Sequence, residues 1–167
     1  MEAVLNGFAT QVAALGAALR ARGAMLATAE SCTGGLIAAA CTGVAGSSDW
    51  FERGFVSYSN AAKTQMLGVA PALIAAHGAV SAEVACAMAE GALARSSATL
   101  AASVTGIAGP GGATPGKPVG TVWIALAESG APARAELLQL HGDRASIREQ
   151  TVRHVLTRLA EALAQRG

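Results

Sequence analysis

No apolar run in this sequence approaches the roughly 18 uncharged residues needed to cross a bilayer. The greasiest stretch, Leu36 to Cys41, is cut off by Thr42 and Gly43. A secretion signal is not expected either, because Glu2 stands where a basic region followed by an apolar run would be needed. Aromatic residues make up only 4% of the chain, too few for a platform on which bases stack. The formal net charge of +1 leaves no electrostatic footprint for nucleic acid. Membrane and nucleic acid are therefore both set aside as partners. The three cysteines, Cys32, Cys41 and Cys86, are odd in number and lack a close pairing motif, which suits the reducing cytoplasm. His77, His141 and His154 are scattered, and none sits at ligand spacing from a second His or Cys. Neither a metal nor another cofactor is expected.

Lysine is scarce too: Lys63 and Lys117 stand against ten arginines. Codon bias in an alanine-rich sequence is one explanation. The other is that these two positions need an amine able to lose its proton, which arginine is not.

What the chain does have is apolar bulk. Hydrophobic residues are 52% and charged ones 14%, so much of the chain must be buried. A length of 167 residues suits one domain spanning 1–167, with a core large enough to need no disulfide or structural metal. Val4, Leu5, Phe8, Val12, Leu15 and Leu19 recur at helical spacing, and Gly23 supplies the stop. Residues 24–29 predict a buried strand running into Glu30 and Ser31, then a small helix over 33–41. A second strand spans 53–58, ending at Tyr58, and Asn60 is placed as N-cap of a helix through Leu67. Pro71–His77 and a longer segment capped by Ser81 predict two more helices, followed by a strand over 98–104. Residues 107–118, rich in glycine and proline, are irregular. Strands over 119–127 and 134–140 pair as a hairpin, and Asp143 caps a last helix with its stripe at Val152, Val155, Leu156, Leu159 and Leu163. Alternating strands and helices closed by a hairpin predict a three-layer α/β/α sandwich. Its mixed sheet would include a C-terminal antiparallel hairpin.

Chemistry is expected where strands hand over to helices, since ligands of such sheets bind at the carboxyl ends of strands. Ser31 lies there, ahead of Thr33, Gly34 and Gly35, whose N–H groups at a helix start could hold a phosphate or stabilise an oxyanion. A capping hydroxyl with glycines for tight packing would use the same residues. Cys32 is the rival nucleophile, but adjacent residues at such a turn point in different directions, and of the histidines only His141 falls near a predicted strand end to serve it. Lys63, in the first turn of its helix, feels the positive helix end, which lowers its pKa as a general base requires. A solvated first-turn lysine is the plain alternative and would add little to the core. Tyr58 reads equally as an amphipathic edge residue. Thr105 and Gly106 form a second polar strand end. Arg144 at the last helix start could hold a phosphate or simply be solvated.

Taken together, these segments resemble the CinA C-terminal-domain family, in its stand-alone form, from about Leu19 to Arg153. Ala29-Glu30-Ser31-Cys32-Thr33-Gly34-Gly35 is similar to the family signature, as are Trp50 through Val56, Tyr58 through Lys63 and His77 through Ser81. Thr105 through Pro110, Lys117 through Val122 and Gly142-Asp143-Arg144 also match. The resemblance implies hydrolysis of nicotinamide mononucleotide, a small-molecule nucleotide substrate, to nicotinic acid mononucleotide and ammonia, a step in pyridine nucleotide recycling. It implies Ser31 as nucleophile, Lys63 as its base, Tyr58 in the proton network, and Thr105 and Arg144 in the site. A homodimer is implied as well, and the extra N-terminal domain of larger relatives is expected to be missing. Two alternatives stay open: a non-catalytic nucleotide-binding or regulatory module, and an enzyme acting on another amide or on a pyrophosphate nucleotide.

Overall fold

In the computed structural model, which describes residues 1–165, every residue of strand β1 (Leu26–Glu30) is buried. A strand covered on both faces belongs in the middle of a parallel sheet. It pairs in parallel with β2 (Phe51–Val56) on one side and β3 (Leu100–Gly106) on the other. β3 then pairs antiparallel with β4 (Thr121–Glu128), and β4 with β5 (Ala131–Gln139). The strand order is β2-β1-β3-β4-β5, a mixed sheet ending in an antiparallel hairpin.

Seven helices cover this sheet among the described residues: α1 (Glu2–Asn6), α2 (Ala9–Ala21), α3 (Leu36–Thr42), α4 (Asn60–Leu67), α5 (Pro71–His77), α6 (Ala82–Ala94) and α7 (Arg144–Ala164). Side chains alternate between the faces of a strand, and the two faces differ in kind. Leu26, Leu100, Val104 and Ile124 meet the large apolar residues of α2, α3 and α7. Ala27, Ala29 and Ala101 meet Leu67 of α4, Ile74 of α5 and Met88 of α6. Farther along α6, Ala85 and Ala89 lie on Ala125 and Ala127. Small residues let α6 sit close to the sheet, and Gly91 lets α4 sit close to α6. A methyl there would land on the Leu67 carbonyl oxygen of α4.

Several boundaries differ from the sequence pattern. The opening helix is broken at Gly7, a poor helix former, where the Phe8 N–H bonds back to Leu5 O at 3.0 Å and the ring is fully buried. β2 begins and ends two residues earlier than expected, so Tyr58 lies beyond the strand. β3 starts at Leu100, because the N–H groups of Thr99 and Leu100 are held by Met25 O before pairing begins. Ser59, not Asn60, caps α4, its Oγ accepting from Ala62 N at 3.0 Å. Ser81 and Asp143 cap α6 and α7 as their sequence positions suggest. No helix of the described residues is long and apolar enough to cross a membrane.

Candidate active site

Alternation along β1 decides which of two adjacent residues faces the cleft. Ala27 and Ala29 point to the α4–α6 side, and Ser31 follows them, meeting Lys63 of α4. Cys32 turns the other way and joins Leu26 and Leu36 in the opposite core, where burial pushes its thiol up to about 12. A thiol in that environment stays protonated and unreactive.

Lys63 and Leu67 are one helical turn apart on the inner face of α4, which places a lysine where an apolar residue would normally stand. It is 1% exposed. Its Nζ lies 2.9 Å from Ser31 Oγ, 3.0 Å from Ser57 O and 3.0 Å from Tyr58 O. Burial pushes the amine below the ordinary lysine value, and no carboxylate pairs with it among the described residues. This replaces the solvated first-turn lysine as a description of the site, and burial outranks the helix dipole as the cause of the shift.

The segment after Ser31 is a turn rather than the start of a helix. Gly34 and Gly35 have φ of 58° and 94°, values that favour glycine, and α3 begins only at Leu36. The Ser31 N–H donates to Val104 O at 3.0 Å and the Gly34 N–H donates to Ser31 O at 3.0 Å. Thr33 O accepts from Leu36 N at 3.1 Å and from Arg148 Nη2 at 2.9 Å. Of the three N–H groups expected to face a ligand, that of Gly34 is therefore already used within the turn. Cys32 N and Thr33 N donate to no backbone carbonyl among the described residues.

Tyr58 enters the site through its backbone. Its carbonyl oxygen accepts from Lys63, whereas its ring is 59% exposed and its Oη accepts from Arg144 Nη2 at 3.1 Å. Arg144 also donates from Nη1 to Gly109 O at 2.9 Å, tying the glycine-proline loop to Tyr58. Glu30 pairs with Val104 in the sheet register, so Thr105 stands beside Ser31 at the strand ends. The Thr105 hydroxyl is buried and donates to Ala79 O at 2.8 Å. Gly106 sits where a Cβ would come within 2.7 Å of Val122 Cγ2, so packing accounts for this glycine. Lys117, the other lysine, donates to His77 O at 3.0 Å.

Glu30, Ser57 and Arg148 are not predicted as site residues from the sequence. Glu30 is buried on the face opposite Ser31, where its carboxylate accepts from Ile37 N at 2.9 Å and Ala38 N at 3.0 Å and so caps α3. Burial raises its pKa, opposed by those two N–H groups. Ser57 acts through a carbonyl, which every residue has. Arg148 lies one helical turn after Arg144, and that spacing was the available clue. Among the described residues, no three His, Cys, Asp or Glu side chains gather as a metal site.

Residues 9–163 match the model of the CinA C-terminal domain. The chain is 50% identical over 151 residues to the nicotinamide-nucleotide amidohydrolase PncC of Escherichia coli K12, covering 90% of this chain and 92% of that protein. It is 61% identical over 130 residues to a CinA-like protein of Geobacter sp. strain M21, covering 78% of this chain but only 31% of that longer protein. Among solved structures, the competence damage-inducible protein A of Klebsiella pneumoniae superposes with a TM-score of 0.90 at 39% identity, over 93% of this chain and 96% of that one. Match, identity and superposition agree across nearly the whole length: the chain belongs to the CinA C-terminal domain family.

Proposed function

We propose that this protein hydrolyses the carboxamide of nicotinamide mononucleotide to nicotinic acid mononucleotide and ammonia, with Ser31 as nucleophile and Lys63 as general base. One observation carries the chemistry. A neutral amine has two hydrogens and one lone pair, and the Ser57 and Tyr58 carbonyls accept the two hydrogens. The lone pair is then left for the hydroxyl of Ser31, 2.9 Å away. The substrate is inferred from the relative named nicotinamide-nucleotide amidohydrolase, at 50% identity over most of both chains.

In the first half-reaction the Ser31 proton passes to Lys63 as Oγ bonds to the carboxamide carbon. The oxyanion that forms faces the N–H of Cys32, the residue after the nucleophile, as in other strand-to-helix nucleophile turns. The Lys63 ammonium then returns its proton to the amide nitrogen, the C–N bond breaks, and ammonia leaves an acyl-Ser31. Water repeats the cycle: its proton goes to Lys63, its oxygen attacks the acyl carbon, and Ser31 leaves with the proton restored. The product acid ionises in the cytoplasm, where we place the enzyme. Small-molecule recycling of pyridine nucleotides is the role this activity would serve. We assign phosphate recognition to the rim around Arg144, so nicotinamide riboside, which lacks the phosphate, is expected to be a poor substrate.

Ammonia release from nicotinamide mononucleotide tests the proposal. The wild type and Cys32→Ala should turn over, and Ser31→Ala should be inactive with an unchanged melting curve. An active Ser31→Ala beside an inactive Cys32→Ala would name the wrong nucleophile. No release by the wild type would overturn the substrate assignment and return the fold to a binding or regulatory role or to an enzyme acting on another nucleotide.

A further inference from the structure

The hydrogen bonds of the 31–35 turn form a directed chain. Arg148 Nη2 donates to Thr33 O at 2.9 Å. The other end of that same peptide group is the Gly34 N–H, which donates to Ser31 O at 3.0 Å. The other end of the Ser31 peptide group is the Cys32 N–H, which makes no backbone hydrogen bond among the described residues. In a trans peptide the N–H and C=O point in opposite directions. With Ser31 O drawn into the turn, the Cys32 N–H points out of it. The nucleophile's own N–H cannot take this role, because Val104 O holds it at 3.0 Å.

We infer that Arg148 is a positioning residue for the reaction proposed above, acting through two peptide groups to orient and polarise the Cys32 N–H that receives the oxyanion. A cation hydrogen-bonded to a carbonyl makes the N–H of the same peptide a stronger donor, and such chains reinforce one another. The bond also fixes the plane of the Thr33–Gly34 peptide, where the left-handed Gly34 offers no side chain to restrain it. A Cβ at Gly34 would stand 3.6 Å from Arg148 Nη2, an ordinary van der Waals contact, so it is the φ of 58° and not the guanidinium that favours glycine there. The effect belongs to the transition state, since charge on the substrate oxygen develops only there. This inference rests on the Ser31–Lys63 reading of the site.

The test compares wild type, Arg148→Ala, Arg148→Gln and Arg148→Lys in ammonia release from nicotinamide mononucleotide. Removing an oxyanion donor outright costs about 10²–10³ in kcat. Weakening one should cost about tenfold to a hundredfold in Arg148→Ala, with KM within about twofold. Added guanidinium ion should restore part of the kcat of Arg148→Ala and none of Ser31→Ala. Arg148→Gln keeps a donor without the charge and should fall between wild type and Arg148→Ala, as should Arg148→Lys. The inference is overturned if kcat is unchanged, if KM alone rises, or if all three variants lose activity only in step with folded fraction and guanidinium restores nothing. A second readout, the rate at which a fluorophosphonate labels Ser31, does not depend on the substrate assignment. If wild type releases no ammonia, the proposed function fails, while a slower labelling rate in Arg148→Ala still supports Arg148 and an equal rate still rejects it.

Discussion

Lys63 is the residue whose position is hardest to reconcile with stability alone. A buried cation without a carboxylate is costly, and shedding its proton is the usual way out. Its amine titrates below the ordinary lysine value because it is buried. Between that lowered value and the ordinary one, the unfolded chain binds more protons than the folded chain, so Lys63 makes stability rise with pH across that window. Activity should rise with the same ionisation, since the neutral amine is the base. Lys63→Met should fold at least as well as the wild type, lose about 10²–10⁴ in kcat, and lose that alkaline gain in stability. Lys63→Arg should be inactive because guanidinium stays protonated. It should also be less stable, since a larger, permanently charged group must enter a site that is 1% exposed. Rate and urea-unfolding profiles against pH check both variants. Near-normal turnover by a folded Lys63→Arg would remove Lys63 from the base role.

At the scale of elements, the distance from Ser31 to Lys63 depends on how closely α4 approaches the sheet, and Gly91 of α6 sets part of that approach. Alanine is intrinsically the better helix residue by roughly 1 kcal/mol. At this position its methyl would meet the backbone of Leu67, which cannot rotate away as a side chain would. Overpacking costs about 1–3 kcal/mol and should outweigh the gain in propensity. Gly91→Ala should therefore lower stability by about 1–2 kcal/mol and reduce kcat by shifting the turn of α4 that carries Lys63. Urea unfolding and ammonia release on the same sample check it. A stabilised, fully active variant would show that α4 moves freely on α6. The 31–35 turn is governed in the same way from both sides, by the Glu30 carboxylate capping α3 and by Arg148 reaching from α7.

For the whole molecule, the sheet separates two jobs. Large apolar side chains on the α2, α3 and α7 face hold the sandwich together, and the small-residue face under α4 and α6 brings a lysine to a strand end. The proposed chemistry then uses an amine and backbone N–H groups throughout. Turnover of nicotinamide mononucleotide should accordingly survive exhaustive chelation with its rate unchanged. Loss of activity restored by one divalent ion would overturn the mechanism.

Sequence alone determined the class of fold, because periodicity is local: the α7 stripe, the Pro71–His77 helix and the caps at Ser81 and Asp143 each depend on a few neighbouring residues. It also placed Ser31 at the end of a buried strand and singled out Lys63 by the scarcity of lysine. Tertiary structure decided the rest, because those contacts join residues far apart in the chain. That Ser31 rather than Cys32 faces α4 follows from the alternation of β1 against helices contributed by distant segments. That Lys63 is buried follows from α4 packing on α6, while its two carbonyl acceptors belong to Ser57 and Tyr58, whose side-chain identities give no hint of the role. The bond from Arg148 to Thr33 spans 115 positions, and only the folded sheet brings its two ends together.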